Sequence, residues 1–241
     1  MTFQDNYFDF VNHTLQRVHE SNADAMESAA QQLLHCEQQH ATIYTFGTGH
    51  SHMIGQDLYA RAGGYAKVYP IVEIELTLAT HPTKSTHIER CASYADILEH
   101  MYHIKKDDVI IATSNSGRNP LVIEFLLRCK KKGATIICIT SLPHSKQIES
   151  RHESGLRLFE VSDIVLDNMA PYGDAGIDID TETRMGPIST LTGCYLSQCV
   201  IGRFVELLLE NNMEAPVFRS SNMDGADAYN QVLFETYVYK K

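Results

Sequence analysis

Two hydroxyl-bearing bends carry most of the chemistry this chain could perform. Thr113-Ser114-Asn115-Ser116-Gly117-Arg118-Asn119-Pro120 crowds two serines, a glycine and an amide between a buried apolar run and a helical one. Serine hydroxyls and the free N–H groups of a helix start suit a doubly charged phosphate monoester, because hydrogen bonds to charged oxygens are stronger than neutral ones. Asn119 with Pro120 also reads as an N-cap followed by proline at the first helical position. A bare cap would not need Ser114, Ser116 and Gly117 as well. The earlier bend, Gly47-Thr48-Gly49-His50-Ser51, sets glycines where a backbone must approach a ligand closely, ahead of another helix start. A tight turn with a serine N-cap is the other reading of it. A dinucleotide site would place a third glycine where His52 stands, and no Gly-Lys-Ser/Thr of a nucleotide loop is present.

An acid and a base would come from the segment after the second strand. Chemistry on a bound phosphate ester that moves a proton requires a base, with a further donor and acceptor close by. Glu73-x-Glu75, His81 and His87-Ile88-Glu89-Arg90 supply them. Burial can raise a glutamate toward neutrality, and histidine titrates there already. Glu89 and His87 are the leading pair and Glu75 the third candidate; a solvated loop with idle histidines is the competing reading. His50-Ser51-His52, with Asp57, His81 and His87, raises a metal reading. Twelve histidines in 241 residues make such neighbours incidental, so no metal or other cofactor is expected. Arg151 could lend positive charge to a ligand but reads more simply as part of a surface turn. Asp174 follows the fifth strand at the ligand edge and could bond a ligand or merely hold a turn, and no Gly-x-Ser-x-Gly elbow occurs.

The elements that must position these residues alternate along the chain. Phe3 to Gln39 has helical spacing of Phe10, Leu15, Val18, Met26, Ala30, Leu33 and Leu34 without a proline. Short strands follow at Thr42–Phe46, Lys67–Ile71, Asp108–Ala112, Ala134–Thr140 and Asp163–Leu166. Helices are expected at Ser51–Ala62, Tyr94–His103, Leu121–Lys131 closed by Gly133, Ile188–Glu210 and Asp224–Tyr237. Buried strands alternating with helices mean an α/β fold with parallel pairing and right-handed crossovers. Ligands in such sheets bind beyond the carboxyl ends of the strands, where both bends fall. The organisation read here is an N-terminal helical segment, 1–40, packed on the core or on a second subunit, and a ligand-binding domain, 41–241.

These bends resemble those of the SIS (sugar isomerase) domain family, over about Ile43 to Leu209. The marks are Gly47-Thr48-Gly49-His50-Ser51 after the first strand, Ser114-Asn115-Ser116-Gly117 after the third, and Gly186-Pro187-Ile188-Ser189-Thr190 opening the long helix. The chain is most similar to stand-alone SIS proteins of the phosphosugar and phosphoheptose isomerase type. The resemblance implies a flavodoxin-like three-layer sandwich with a five-stranded parallel sheet, and a homodimer or homotetramer with its site near the subunit interface. It also implies phosphosugar contacts at Ser51, Ser114, Ser116, Ser189 and Thr190, with polar support from Thr48, Asn115 and Gly117. Asn119 stands where the family often has Thr or Ser. Arg61 and Asp57 stand where phosphoheptose isomerases carry a catalytic glutamate and a zinc-binding histidine.

Composition narrows the rest. Twenty Lys+Arg against 30 Asp+Glu leave a formal charge of −10, which disfavours nucleic acid and acidic membranes as partners. The six cysteines are scattered without a Cys-x-x-Cys pair, and the first residues show no basic or apolar leader, so a cytoplasmic location is expected. The functional expectation is a sugar-phosphate binder, an aldose-ketose isomerase acting on a sugar or amino-sugar phosphate. The alternatives are a phosphosugar sensor without turnover and a related lyase or etherase.

Overall fold

A computed structural model describes residues 2–81 and 83–239. Met1, Lys240 and Lys241, at the ends of the two expected segments, and Pro82 of the polar connection lie outside the described residues.

The first helix, α1 (Phe3–Ser21), starts on a capping box in which Thr2 and Asp5 satisfy each other's backbone N–H groups. The single helix expected over Phe3–Gln39 is two, because α2 spans Ala23–Gln38 and Asn22 sits between them. The buried Asn22 amide donates to Val18 O at 2.7 Å and to Asp167 O at 3.0 Å, while its Oδ1 accepts from Asp167 N at 2.8 Å. An asparagine side chain that bonds to backbone in this way competes with the helix ladder and ends it.

Strand β1 (Ile43–Gly47) leads through a 3-10 turn at Gly49–Ser51 into α3 (His52–Leu58), shorter than the helix expected to Ala62. Strand β2 (Val68–Ile71) is followed by the short α4 (Lys84–Ile88) and α5 (Tyr94–Tyr102). Then come β3 (Val109–Thr113), α6 (Pro120–Lys131), β4 (Thr135–Thr140), α7 (Leu142–Ser145), α8 (Leu158–Val161) and β5 (Ile164–Asp167). An antiparallel hairpin, β6 (Ala175–Asp178) with β7 (Arg184–Pro187), precedes the long α9 (Ser189–Glu210). The hairpin is absent from the sequence reading. The last helix, α10, covers Ala226–Leu233 and continues as a π turn over Phe234–Val238.

The five-stranded sheet has the order β2-β1-β3-β4-β5 with every pairing parallel. Each central strand is buried on both faces, which is why β3 and β4 are continuous apolar runs. Val109 and Ile111 face one layer, where Ala30 and Leu33 of α2 meet Leu196, Val200 and Phe204 of α9. Ile110 and Ala112 face the other, against Leu98 of α5 and Leu121, Phe125 and Leu126 of α6. Cys36, Cys129 and Cys138 are buried core thiols, and burial pushes all three up to about 12. The strand order reverses between β1 and β3, and Gly47 lies in register with Thr113. Both polar bends therefore leave neighbouring strands at the same edge, at the switch point where ligands bind in open α/β sheets.

Candidate functional site

At this edge the first bend folds back tightly on its own strand. Ser51 N donates to Thr48 O at 3.1 Å, and a Cβ on Gly47 would meet the Ser51 backbone at 2.8 Å, so only glycine fits. The second bend is braced from beneath. Thr140 Oγ1 donates to Ser114 O at 2.8 Å, Asn168 Nδ2 donates to Asn115 Oδ1 at 3.1 Å, and Leu158 N donates to Gly117 O at 2.8 Å. Gly117 has φ +59°, and Ser114 Oγ accepts from its N–H at 3.2 Å, which closes the loop on itself. The Ser116 hydroxyl makes no hydrogen bond among the described residues.

Between the bends lies a cavity of about 280 Å³, lined by Thr48, Gly49, Ser51, Glu89, Ser114, Asn115, Ser116, Asn119, His144, Gly173 and Asp174. Glu89 is held there at two points. Its Oε2 accepts from Thr48 Oγ1 at 2.7 Å, and its backbone carbonyl accepts from Leu121 N, in the first turn of α6, at 3.1 Å. Burial raises the Glu89 carboxyl above the ordinary glutamate value, against the opposing pull of the Thr48 hydrogen bond and of Arg90 and Arg151.

His144, which sequence reasoning missed, forms the far wall. Its Nδ1 accepts from Gly173 N at 2.9 Å, and its ring stacks on Tyr172 with centroids 4.9 Å apart. A backbone amide can only donate, so the neutral ring carries its proton on Nε2. Burial, and then the charge of Arg118, lower its pKa, while Asp174 acts in the opposite direction. The available signal was positional: Ser141-Leu142-Pro143-His144 directly follows β4 at the ligand edge.

Cations gather beside the second bend. Asn119 is the N-cap of α6 by backbone, yet its side chain makes no cap; Oδ1 instead accepts from Arg151 Nη1 at 3.0 Å. Arg118 Nε is buried without a hydrogen-bond partner. Arg61, Arg128, Arg157, Arg184 and Arg203 are ion-paired, whereas Arg90, Arg118 and Arg151 form no ion pair among the described residues.

The remaining candidates lie elsewhere. His87 is exposed on α4, and Glu75 is paired with Lys84 at 3.5 Å; neither lines this cavity. Ser189 is already engaged, its N–H and Oγ donating to Asp174 at 2.8 and 2.7 Å. Asp174 thereby caps α9 with negative charge, the favourable sign at a helix start. His50 and Thr190 line a neighbouring cavity. Asp57 pairs with Arg61 and accepts from Gln198 Nε2 at 2.8 Å, so the two positions where the resemblance places a glutamate and a histidine form a surface ion pair. Among the described residues no group of three or more His, Cys, Asp or Glu side chains converges to hold a metal, and no helix is long and apolar enough to cross a membrane. A larger cavity of about 550 Å³, bordered by Tyr59, Tyr102 and Asp108, opens at the opposite edge of the sheet.

Comparison with known proteins agrees with this architecture. Residues 6–141 match the SIS domain family. The UPF0309 protein BH3325 of Halalkalibacterium halodurans is 41% identical over 233 residues, 96% of each chain. The phosphoheptose isomerase GmhA of Neisseria gonorrhoeae superimposes with a TM-score of 0.56 at 17% identity, covering 85% of this chain and 100% of that one. The NanR protein of Vibrio vulnificus, complexed with ManNAc-6P, superimposes with a TM-score of 0.56 at 15% identity, covering 98% of this chain and 70% of its own. The two superpositions show a shared fold, and the family match together with the sequence relative shows descent: this chain belongs to the SIS domain family, within its UPF0309 group.

Proposed function

We propose that the cavity between the two bends binds a sugar phosphate and that the chain interconverts its aldose and ketose forms. The observation that carries this reading is the seating of Glu89, its burial-raised carboxyl bonded to Thr48, in the same cavity as the free Ser116 hydroxyl. The phosphate would sit on the second bend, receiving hydrogen bonds from Ser116 and Ser51 and charge from Arg118 and Arg151. Serine hydroxyls confer the geometry, and unpaired guanidinium groups compensate the two negative charges.

With the phosphate fixed, the sugar chain would extend toward Glu89 and His144. Glu89 as carboxylate takes the proton from the carbon beside the carbonyl, and the C–H electrons shift to form the enediolate. The same carboxyl returns the proton to the neighbouring carbon, while a second proton passes from the hydroxyl on the first carbon to the former carbonyl oxygen, an exchange that Nε2–H of His144 would relay, so that atoms and oxidation level balance. The negative charge of the intermediate lies on the former carbonyl oxygen. A neutral His144 with its proton on Nε2 offers a hydrogen bond there, and Arg118 adds positive charge. The elevated Glu89 carboxyl suits this role, because a base works best with its pKa near the operating pH.

A thermal-shift panel of sugar phosphates, each beside its unphosphorylated parent, tests the reading. Phosphorylated sugars raise the melting temperature through ligand linkage and their parents do not. Equal responses from both members of every pair would overturn the phosphate assignment. A shift without any interconversion of the bound sugar, followed by NMR, would make the protein a sensor instead.

A further inference from the structure

The cavity of about 550 Å³ at the opposite edge of the sheet has the ~300–1,000 Å³ volume usual for small-molecule sites, and the phosphosugar reading makes no use of it. Four tyrosines border it, brought together from four elements. Tyr44 comes from β1, Tyr69 from the edge strand β2, Tyr59 from the end of α3 and Tyr102 from the end of α5.

Three of these rings are pinned by their hydroxyls. Tyr44 Oη donates to Tyr102 O at 3.4 Å, Tyr69 Oη to Tyr237 O at 2.8 Å, and Tyr102 Oη to Glu73 Oε1 at 2.6 Å. A tyrosine tied down in this way offers rigid aromatic surface at little cost in conformational entropy. The Tyr44 and Tyr69 rings have centroids 6.5 Å apart and are inclined by 54°, so they do not stack face to face on one another. The exposed Met101 adds a polarizable thioether, a group that favours contact with aromatic rings.

The polar groups of the cavity are unequally spent. Asp108 Oδ1 accepts from Thr42 N at 2.8 Å and Oδ2 from Lys105 N at 2.7 Å, so this buried carboxylate does not call for a cationic ligand. The Lys105 ammonium lines the same cavity without pairing with Asp108 or with any other acid among the described residues. The Tyr59 hydroxyl likewise makes no hydrogen bond among them. The backbone is strained beside two of the rings. Ala60, next to Tyr59, has φ +49°, and His103, next to Tyr102, has φ +44°. Residues with a Cβ rarely adopt such conformations, which gather where a ligand is clamped.

We infer that this cavity is a second ligand site, for a planar aromatic ring carrying an anionic group, with the ring held among the tyrosines and the charge at Lys105. The inference stands without the phosphosugar reading. A nucleotide and an aromatic carboxylic acid share this chemistry, and the probes separate them.

Calorimetry on the intact protein decides it. Adenosine 5′-monophosphate is set against adenosine, and indole-3-acetate against indole-3-ethanol. At least one of the two anions binds saturably and about tenfold tighter than its neutral partner, the margin of a hydrogen bond to a charged group. Lys105→Met removes that margin, and Met101→Glu weakens the same anion about tenfold by placing like charge beside the rings. Both positions are exposed, so the melting temperature of the free protein stays unchanged. Ser116→Ala, in the cavity between the bends, leaves this binding in place. The inference is overturned if neither anion binds saturably, or if the neutral partners bind as tightly as the anions. Binding that Ser116→Ala abolishes and the Lys105 and Met101 variants leave intact overturns it too, and assigns the anion to the other cavity.

Discussion

Thr48 Oγ1 stands 2.7 Å from Glu89 Oε2 and donates a hydrogen bond to it across 41 residues of sequence. The bond joins the bend after β1 to the segment leading into α5, and it fixes the one acidic side chain besides Asp174 that, among the described residues, lines the cavity between the two bends. Asp174 is committed to the start of α9. Glu89 is therefore the carboxylate in this cavity left to act as a base.

Replacing Glu89 with Gln keeps the shape and the Thr48 contact but removes the proposed base. Turnover falls about 10²- to 10⁴-fold, the range for losing a general base, while sugar-phosphate affinity changes little. In the wild type, activity falls as pH drops through the Glu89 pKa, which lies above the ordinary 4.5. The linkage has the same origin. A carboxyl raised in the folded state stabilises the fold most below its unfolded pKa, and that contribution is lost as pH rises through the folded value. Urea titrations of Glu89→Gln and wild type therefore diverge in favour of the variant as pH rises from 4 to 8. Parallel pH curves would contradict the raised pKa.

Thr48→Val removes the one hydrogen bond that lowers the Glu89 pKa and leaves burial unopposed on that side. The acid limb of the activity profile moves to higher pH, because the charged form of Glu89 loses a hydrogen bond that favours it. A profile that stays in place would mean that Thr48 does not hold the carboxylate.

Ser116→Ala deletes a free hydroxyl from the second bend without disturbing the brace beneath it, which runs through Ser114, Asn115 and Gly117. Affinity for a sugar phosphate drops about tenfold or more, as expected for a hydrogen bond to a charged oxygen, with the melting temperature of the free protein unchanged. Calorimetry reads the first quantity and calorimetric melting the second.

Asn22→Ala tests a structural joint. Loss of the amide leaves Asp167 N and Asp167 O without their partners near a buried corner and destabilises the fold by about 1–3 kcal/mol. Urea denaturation shows this as a lower midpoint at an unchanged slope.

The same residue shows where sequence reasoning stops. The apolar spacing from Phe3 to Leu34 is truly helical, but the break at Asn22 depends on a hydrogen bond to Asp167, 145 residues away. Strands β1, β3 and β4 were legible because burial on both faces makes them unbroken apolar runs between glycine- and serine-rich bends. The β6–β7 hairpin was not, since its strands are four residues each, never buried on both faces, and interrupted by Gly176, Gly186 and Pro187. Within the site, Ser114, Ser116 and Glu89 could be picked out from residue type and position at the strand ends. His144 has the same position just past a strand end, but its tautomer and its place in the cavity come from Gly173 and Tyr172, residues of a separate loop. His87 and Glu75 share a segment with Glu89 but point to solvent or to Lys84, and sequence proximity has no means of separating them from it.

A crystal structure of the protein soaked with a hexose 6-phosphate tests the central claim most directly. The account predicts the phosphate group within hydrogen-bond distance of Ser116 Oγ, with the carbonyl end of the sugar against Glu89 and His144. Phosphate density at any other place on the molecule, with the cavity between Thr48 and Ser116 left to solvent, would contradict it.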